Sequence, residues 1–298
     1  MTNYRIIQKR KIWLSISATL FVVFTAALLV WGFKYGIDFT GGSLLEVKFL
    51  DSRPTTASVE SALSGLNLNT SSLIIQPVGE QDMILRFQET SEETHQAVVS
   101  KIKDSVGAIE ELRFESVGPS IGAELKRKAV YAIFFVLIAI LLYITYVFRK
   151  VSKPVASWKY GTAALLAMFH DTIITMGVFA VLGKFYGVEI NTTFVAAVLT
   201  VIGYSVHDTI VVFDRIRENL PRSNEDFEGT VNVSLNQTLV RSVNTSLTVI
   251  FVLLSIIIFG GASIRTFAMA MAIGIFFGTY SSIFVAPPLL VMWEKIKK

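Results

Sequence analysis

The stretch INTTFVAAVLTVIGYSVHDTIVVF, Ile190 to Phe213, is apolar along its length except for Asn191 near its start, hydroxyl side chains and one ionisable pair, His207-Asp208. At 1.5 Å of rise per residue it is long enough to cross a hydrocarbon core about 30 Å thick. A carboxylate inside such a helix costs about 2.5–3.5 kcal/mol on insertion scales, so chains keep one only where it faces protein or water. This stretch therefore reads as a membrane helix with a functional group inside it.

Five more blocks share its character: Ile12–Phe33, Ala129–Phe148, Tyr160–Gly183, Ser242–Ile264 and Thr266–Trp293. Among them only the third span, Tyr160–Gly183, carries ionisable side chains within the apolar run, again a pair, His170-Asp171. The first block is too long for the apolar core of a signal peptide. Its end, Val30-Trp31-Gly32-Phe33, is a poor cleavage site, so it is expected to stay as an anchor. With 52% hydrophobic and 17% charged residues in 298, the composition agrees with a six-span protein and not with a soluble domain. The chain has no cysteine, which excludes disulfides, thiolate metal sites and thiol catalysis. The net charge of +4 is spread beside the apolar blocks and does not form a nucleic-acid patch, so no nucleic-acid partner is expected.

Basic residues set the orientation. Arg5, Lys9, Arg10 and Lys11 precede span 1. Arg149, Lys150, Lys153 and Lys159 lie between spans 2 and 3, Arg215, Arg217 and Arg222 follow span 4, and Lys295, Lys297 and Lys298 close the chain. The alternate loops carry only Lys184 and Arg265. Both termini are predicted to be cytoplasmic and residues 34–126 extracytoplasmic. The organisation expected is 1–33 as the N-terminus and first span, 34–126 as an external domain, and 127–298 as five spans with their loops.

The external segment is acidic and alternates strand and helix patterns. Leu45, Val47 and Phe49 alternate with Glu46 and Lys48, a half-buried strand. Residues 54–65 place Val59, Ala62, Leu63 and Leu66 at helical spacing. Leu73–Val78 and Met83–Phe87 read as a hairpin, Ser91 caps a second helix ended by Gly107, and residues 112–115 resume a strand. The order is β-α-β-β-α-β, a small α+β ferredoxin-like domain, a fold that fixes no function by itself.

The groups the bilayer should exclude form the candidate site. Tyr204, Ser205 and Thr200 lie one and two turns before Asp208, a polar stripe on one helix face. Arg241, at the entrance of span 5, has Asn244, Thr245 and Thr248 ahead of it and Gln237 behind. Asp171 is backed by Ala164 and Ala167, small enough for close helix contact. These stripes predict a hydrated interior path in which Asp208 and Arg241 can meet. Burial and a nearby arginine act in opposite directions on such a carboxylate, and a group balanced between them can take up and release a proton. The competing structural readings are buried polar pairing for Asp171 and headgroup contact for Arg241. Other chemistry is weakly supported. The two His-Asp pairs lack a third ligand, so no metal is expected. Gly36-Ile-Asp-Phe-Thr-Gly-Gly42 lacks the lysine of a phosphate loop and reads as a tight turn into the first strand. Gly274 and Gly278 permit close packing, and Pro287-Pro288 should break span 6.

Four segments resemble the SecF branch of the SecD/SecF protein-export family: 36–42 (with Gly36, Asp38, Gly41 and Gly42), 117–125 (with Gly118, Pro119 and Gly122), 203–219, and 234–247. The layout of one span, an external domain and five spans resembles it as well. The resemblance implies half of a resistance-nodulation-division (RND)-like transporter, partnered by a SecD-like subunit, the SecYEG channel and the emerging polypeptide, in the bacterial cytoplasmic membrane. It implies that Asp208 and Arg241 serve proton conduction, with no covalent catalysis and no cofactor. In this family Asn usually precedes the aspartate, whereas this chain has His207, a second titratable group beside it. Protons and Na⁺ both remain open as the coupling ion, since both would use a carboxylate and hydroxyls. Two other functions stand beside the export motor: half of an RND-type exporter of lipids or small molecules, and a passive scaffold of the translocon.

Overall fold

A computed structural model describes residues 4–66, 68, 73–88, 91–148 and 156–295. Arg149, Lys150, Lys153, Lys297 and Lys298, used above for orientation, lie outside the described residues. The chain divides into two compact units, Tyr35–Lys128 and the combination of Met1–Lys34 with Ala129–Lys298.

The unit Tyr35–Lys128 follows the first membrane helix, α1 (Arg10–Trp31). It opens with one helical turn, α2 (Ile37–Thr40), and strand β1 (Gly42–Phe49). Then come α3 (Thr56–Leu63), β2 (Ile74–Val78), β3 (Asp82–Phe87), α4 (Glu92–Ser105) and β4 (Ile109–Val117). The strands form one antiparallel sheet in the order β2-β3-β1-β4, which is ferredoxin-like. Thr55 and Ser91 start the two helices by accepting hydrogen bonds from Ser58 N and Thr94 N, each satisfying an orphan first-turn donor. Alternation along β1 and β3 sends Leu45, Val47, Phe49, Met83, Leu85 and Phe87 to one face, where Val59, Leu63, Val98 and Ile102 cover them. A bulge between Glu46 and Val47 drops Leu112 out of register with β1, and Leu112 is exposed.

The glycine stretch does more than turn. Gly41 has φ +77°, and a Cβ there would lie 2.7 Å from Pro119 Cα. A Cβ on Gly122 would come within 3.1 Å of Phe39 and Gly41 backbone. Two of the four resemblance segments are therefore packed on each other, with glycine needed on both sides. Asp38 sits in the first turn of α2 behind the N-cap Gly36, and Gly118 immediately precedes helix α5 (Pro119–Val147).

The remaining helices are α6 (Ser157–Tyr186), α7 (Thr192–Asn219), α8 (Phe227–Phe259), α9 (Ala262–Phe284) and α10 (Ala286–Lys295). Among the described residues six helical stretches are long and apolar enough to cross a membrane. Two run well beyond their apolar blocks: α5 starts at Pro119 and α8 at Phe227, with Asp226 capping the latter through Gly229 N. The polar region 214–240 is thus helical except for residues 220–226, because helix propagation continues past the membrane edge wherever caps and pairing allow. Helices α9 and α10 are separated at Val285. Pro287 and Pro288 have no N–H for the carbonyls one turn back, and the ladder resumes at Leu289 N to Val285 O, 3.0 Å. Close crossings use glycine: a Cβ at Gly274 would lie 2.4 Å from Val201, one at Gly278 3.0 Å from Ser205, and one at Gly177 2.4 Å from Phe24 O.

Candidate functional site

Both intramembrane aspartates are buried, and their surroundings differ. Asp171 on α6 is 1% exposed. Its Oδ2 accepts from Ser205 Oγ of α7 at 2.7 Å and from Ser281 Oγ of α9 at 2.6 Å, and its Oδ1 lies 3.0 Å from His170 Nδ1. Every oxygen has a partner, and the partners come from three helices. The adjacent His170 does reach its neighbour, contrary to the divergence expected of consecutive helix residues. The ring is turned back by packing against Phe21 of α1.

Asp208 on α7 is 8% exposed. Its Oδ1 accepts from Ser242 Oγ of α8 at 2.6 Å. Among the described residues its Oδ2 is buried without a hydrogen-bond partner, although Ser282 of α9 is close enough to act on the carboxylate. The Ser282 hydroxyl donates to Gly278 O at 2.8 Å and meets Thr209 Oγ1 at 3.0 Å. A buried carboxylate oxygen with no donor is costly, and it is an open acceptor for a proton or a small cation.

The expected meeting of Asp208 with Arg241 is not what the side chains do. Among the described residues no ion pair joins them, and the side chain facing Asp208 is Ser242, one position along. Consecutive residues point about 100° apart on a helix. With Ser242 and Ser246 inward, Arg241, Asn244, Thr245 and Thr248 fall on the exposed side. On α7 the same geometry exposes Thr200, Gly203 and His207. The stripe drawn around Asp208 is divided as well. Ser205 serves Asp171, while Tyr204 OH reaches Ser246 Oγ at 3.3 Å, and Ser246 in turn bonds Thr279.

Sequence reasoning missed Ser242, Ser246, Thr279, Ser281 and Ser282. The signal was present, since Ser242 and Ser246 are one turn apart and α9 carries Thr279, Ser281 and Ser282 in an apolar run. Hydroxyls at those spacings read equally well as self-bonding to the preceding turn, so only the packing selects them.

Comparison with known proteins now adds to this geometry. Residues 97–296 match the family described as protein export membrane protein SecD/SecF, C-terminal, and residues 26–49 match the SecD/SecF GG motif. The chain belongs to the SecD/SecF family. Within it, the protein translocase subunit SecF of Thermobaculum terrenum is 48% identical over 283 residues, covering 91% of this chain and 87% of that one. The SecF subunit of Anaerolinea thermophila is 38% identical over 296 residues, covering 97% and 94%. The crystal structure of SecDF from Thermus thermophilus, a translocon-associated membrane protein, superposes with a TM-score of 0.85 at 32% identity over 99% of this chain. The chain spans 39% of the length of that SecDF chain. SecD/SecF membership and the six apolar helices make this a multi-pass inner-membrane protein of protein export. The GG motif is the segment whose Gly41 is pressed against Pro119.

Proposed function

We propose that this chain is the SecF subunit of a Sec translocase and couples an ion gradient, with protons as the ion, to late steps of protein export. The observation that carries the coupling is the asymmetry of the two aspartates: Asp171 is fully bonded, whereas Asp208 holds one serine and leaves Oδ2 open. Occupation of Oδ2 changes the charge that Ser242 holds against α8, and α8 carries the outward polar face of Arg241. Moving one charge through the membrane potential supplies about 2.3 kcal/mol per 100 mV, enough to bias a pair of helix arrangements.

That outward face supports a second six-span partner. Thr200, His207, Arg241 and Asn244 suit hydrocarbon poorly, and Gly203 beside them has nothing within 4 Å of an added Cβ. A SecD-like subunit would cover this face, as the greater length of the SecDF chain suggests. The SecYEG channel and the emerging polypeptide are the further partners, the latter met by residues 34–126 on the extracytoplasmic side, with both termini cytoplasmic. The protein performs no covalent chemistry in this reading.

The test is export from sealed vesicles with the gradient imposed and then dissipated, at varied pH and Na⁺. Asp208→Asn should lose gradient-stimulated export while still inserting and folding. Normal stimulation in that variant overturns the coupling. Wild-type export indifferent to the gradient favours a passive scaffold instead.

A further inference from the structure

The azimuth of α8 decides whether Ser242 or a neighbour faces Asp208, since a slip of one residue turns the helix by about 100°. Within this chain the apolar part of α8 buries few side chains. Beyond Ser246 only Leu253 is buried, and the other buried side chains of α8 lie between Thr230 and Ser246. The first turns of α8 are instead fastened to the start of the chain by side-chain amides. Asn232 is 4% exposed, and its Oδ1 accepts from the backbone N–H of both Ile6 and Ile7, at 3.0 and 3.2 Å. Asn236, one turn on, pairs reciprocally with Tyr4: Tyr4 N donates to Oδ1 at 2.8 Å, and Nδ2 donates to Tyr4 O at 2.9 Å. One turn before Asn232, Glu228 bridges Arg10 at 2.7 Å and Lys295 at 2.5 Å.

Glu228, Asn232 and Asn236 are spaced by four residues, so they form one stripe of α8 committed to the N-terminal segment. Side-chain amides here accept from the N–H groups of Tyr4, Ile6 and Ile7 at the start of a short helical turn, Ile7–Lys9, where Ile6 N also donates to Tyr4 O at 3.0 Å. Buried backbone N–H groups require such acceptors. A bond made to successive backbone groups fixes both the height and the rotation of the helix that makes it, which a nonpolar contact does not. Asn232 and Ser242 are ten residues apart on one continuous helix, about 15 Å along its axis.

We infer that Asn232 and Asn236, with Glu228, are positioning residues: this clasp on the N-terminal segment sets the rotation of α8 and so presents Ser242 to Asp208. The inference adds to the coupling reading, and its test needs no gradient. The chain has no cysteine, so a pair introduced as Ser246→Cys and Thr279→Cys reports the α8–α9 contact where those hydroxyls meet. Oxidant-driven disulfide formation is followed in membranes. Adding Asn232→Leu with Asn236→Leu, which keeps the number and branching of heavy atoms and removes the amides, should slow crosslinking at least fivefold. Asn232→Asp alone, which keeps the accepting oxygens, should crosslink at the parent rate. An unchanged rate in the double leucine variant overturns the inference. Should that variant fail to accumulate, Glu228→Gln is expected to slow crosslinking two- to threefold, and the parent rate in it overturns the inference equally. Loss or retention of coupling in Asp208→Asn bears on the proposed function and leaves this crosslinking result untouched.

Discussion

Ser242 Oγ sits 2.6 Å from Asp208 Oδ1 and is the only side chain of α8 that donates to this carboxylate among the described residues. It is the direct contact through which the state of Asp208 reaches α8. Ser242→Ala leaves a second oxygen of Asp208 without a donor. A hydrogen bond to a charged group contributes about 1.5–3 kcal/mol, so the pH profile of gradient-driven export should shift. The rate at a fixed gradient should fall about tenfold. Ser242→Thr, which keeps the hydroxyl, should restore most of it.

Asp171 should answer differently. Its three partners come from α6, α7 and α9, and we expect it to brace these helices. Replacing it by Leu strands His170 and Ser205 and leaves Ser281 only its bond to Gly278 O at 3.1 Å, and each buried group left unpaired costs about 1–3 kcal/mol. Thermal unfolding of the detergent-solubilised Asp171→Leu protein should start well below the wild type, and Asp171→Asn should lie between them. Equal unfolding of Asp171→Leu and wild type would remove the brace.

Much of this was legible in the sequence because the bilayer imposes simple rules. Apolar blocks give the six spans, alternation along Leu45, Val47 and Phe49 gives the sheet face, and Ser91 marks a helix start; the Thr55 cap is seen only in the structure. The helix ends at Pro119 and Phe227 were not legible, since helix formation outruns the apolar pattern that reveals it. The partner of Asp208 was misread for a geometric reason. Arg241 carries the charge that draws attention, but an aspartate buried between helices meets whichever residue faces inward, and that is Ser242. Azimuth depends on packing between helices, which a single helix pattern does not encode.

Gly274 of α9 lies against Val201 of α7, where an added Cβ would come 2.4 Å from Val201 Cγ2. Gly274→Ala should therefore push apart the two helices that carry Asp208 and Ser282. Overpacking of this kind costs about 1–3 kcal/mol, to be read as a lower unfolding temperature. Gly274→Ala combined with Val201→Ala should recover most of the loss. Additive losses in the double variant would show that the contact is not responsible.

In the unit Tyr35–Lys128 Glu92 accepts from Gln96 Nε2 at 2.7 Å and lies 3.1 Å from His95 Nδ1. The Gln96 bond first, and then His95, hold its carboxyl below the ordinary glutamate value of 4.5. A depressed carboxyl stabilises the fold above its unfolded value, and that contribution is lost as pH falls through the folded one. Hydrogen exchange of the α4 amides in the full-length protein should thus quicken as pH drops below 4.5, after correction for intrinsic rates. Glu92→Gln should weaken α4 at neutral pH and flatten that dependence, and an unaltered pH dependence in this variant would rule Glu92 out as its source.

Gly41 and Gly122 make a stricter demand than composition suggests. At Gly41 the backbone has φ +77° and the space for a Cβ is taken by Pro119 Cα, so alanine meets both a positive-φ conformation and a backbone clash. With ψ 173° this backbone lies in an extended positive-φ region that is essentially glycine-only, which alone costs about 1–3 kcal/mol, and the clash adds to it because neither partner is a flexible side chain. Gly122→Ala meets only the milder contact, at 3.1 Å. Limited proteolysis of residues 35–128 in the intact protein should therefore rank Gly41→Ala as the most susceptible, Gly122→Ala next and wild type last. Because Pro119 begins α5, the same clash falls on the first turn of the helix that leaves the unit Tyr35–Lys128. Gly41→Ala should accordingly impair export more than its loss of stability alone accounts for, whereas Gly122→Ala should impair it in proportion.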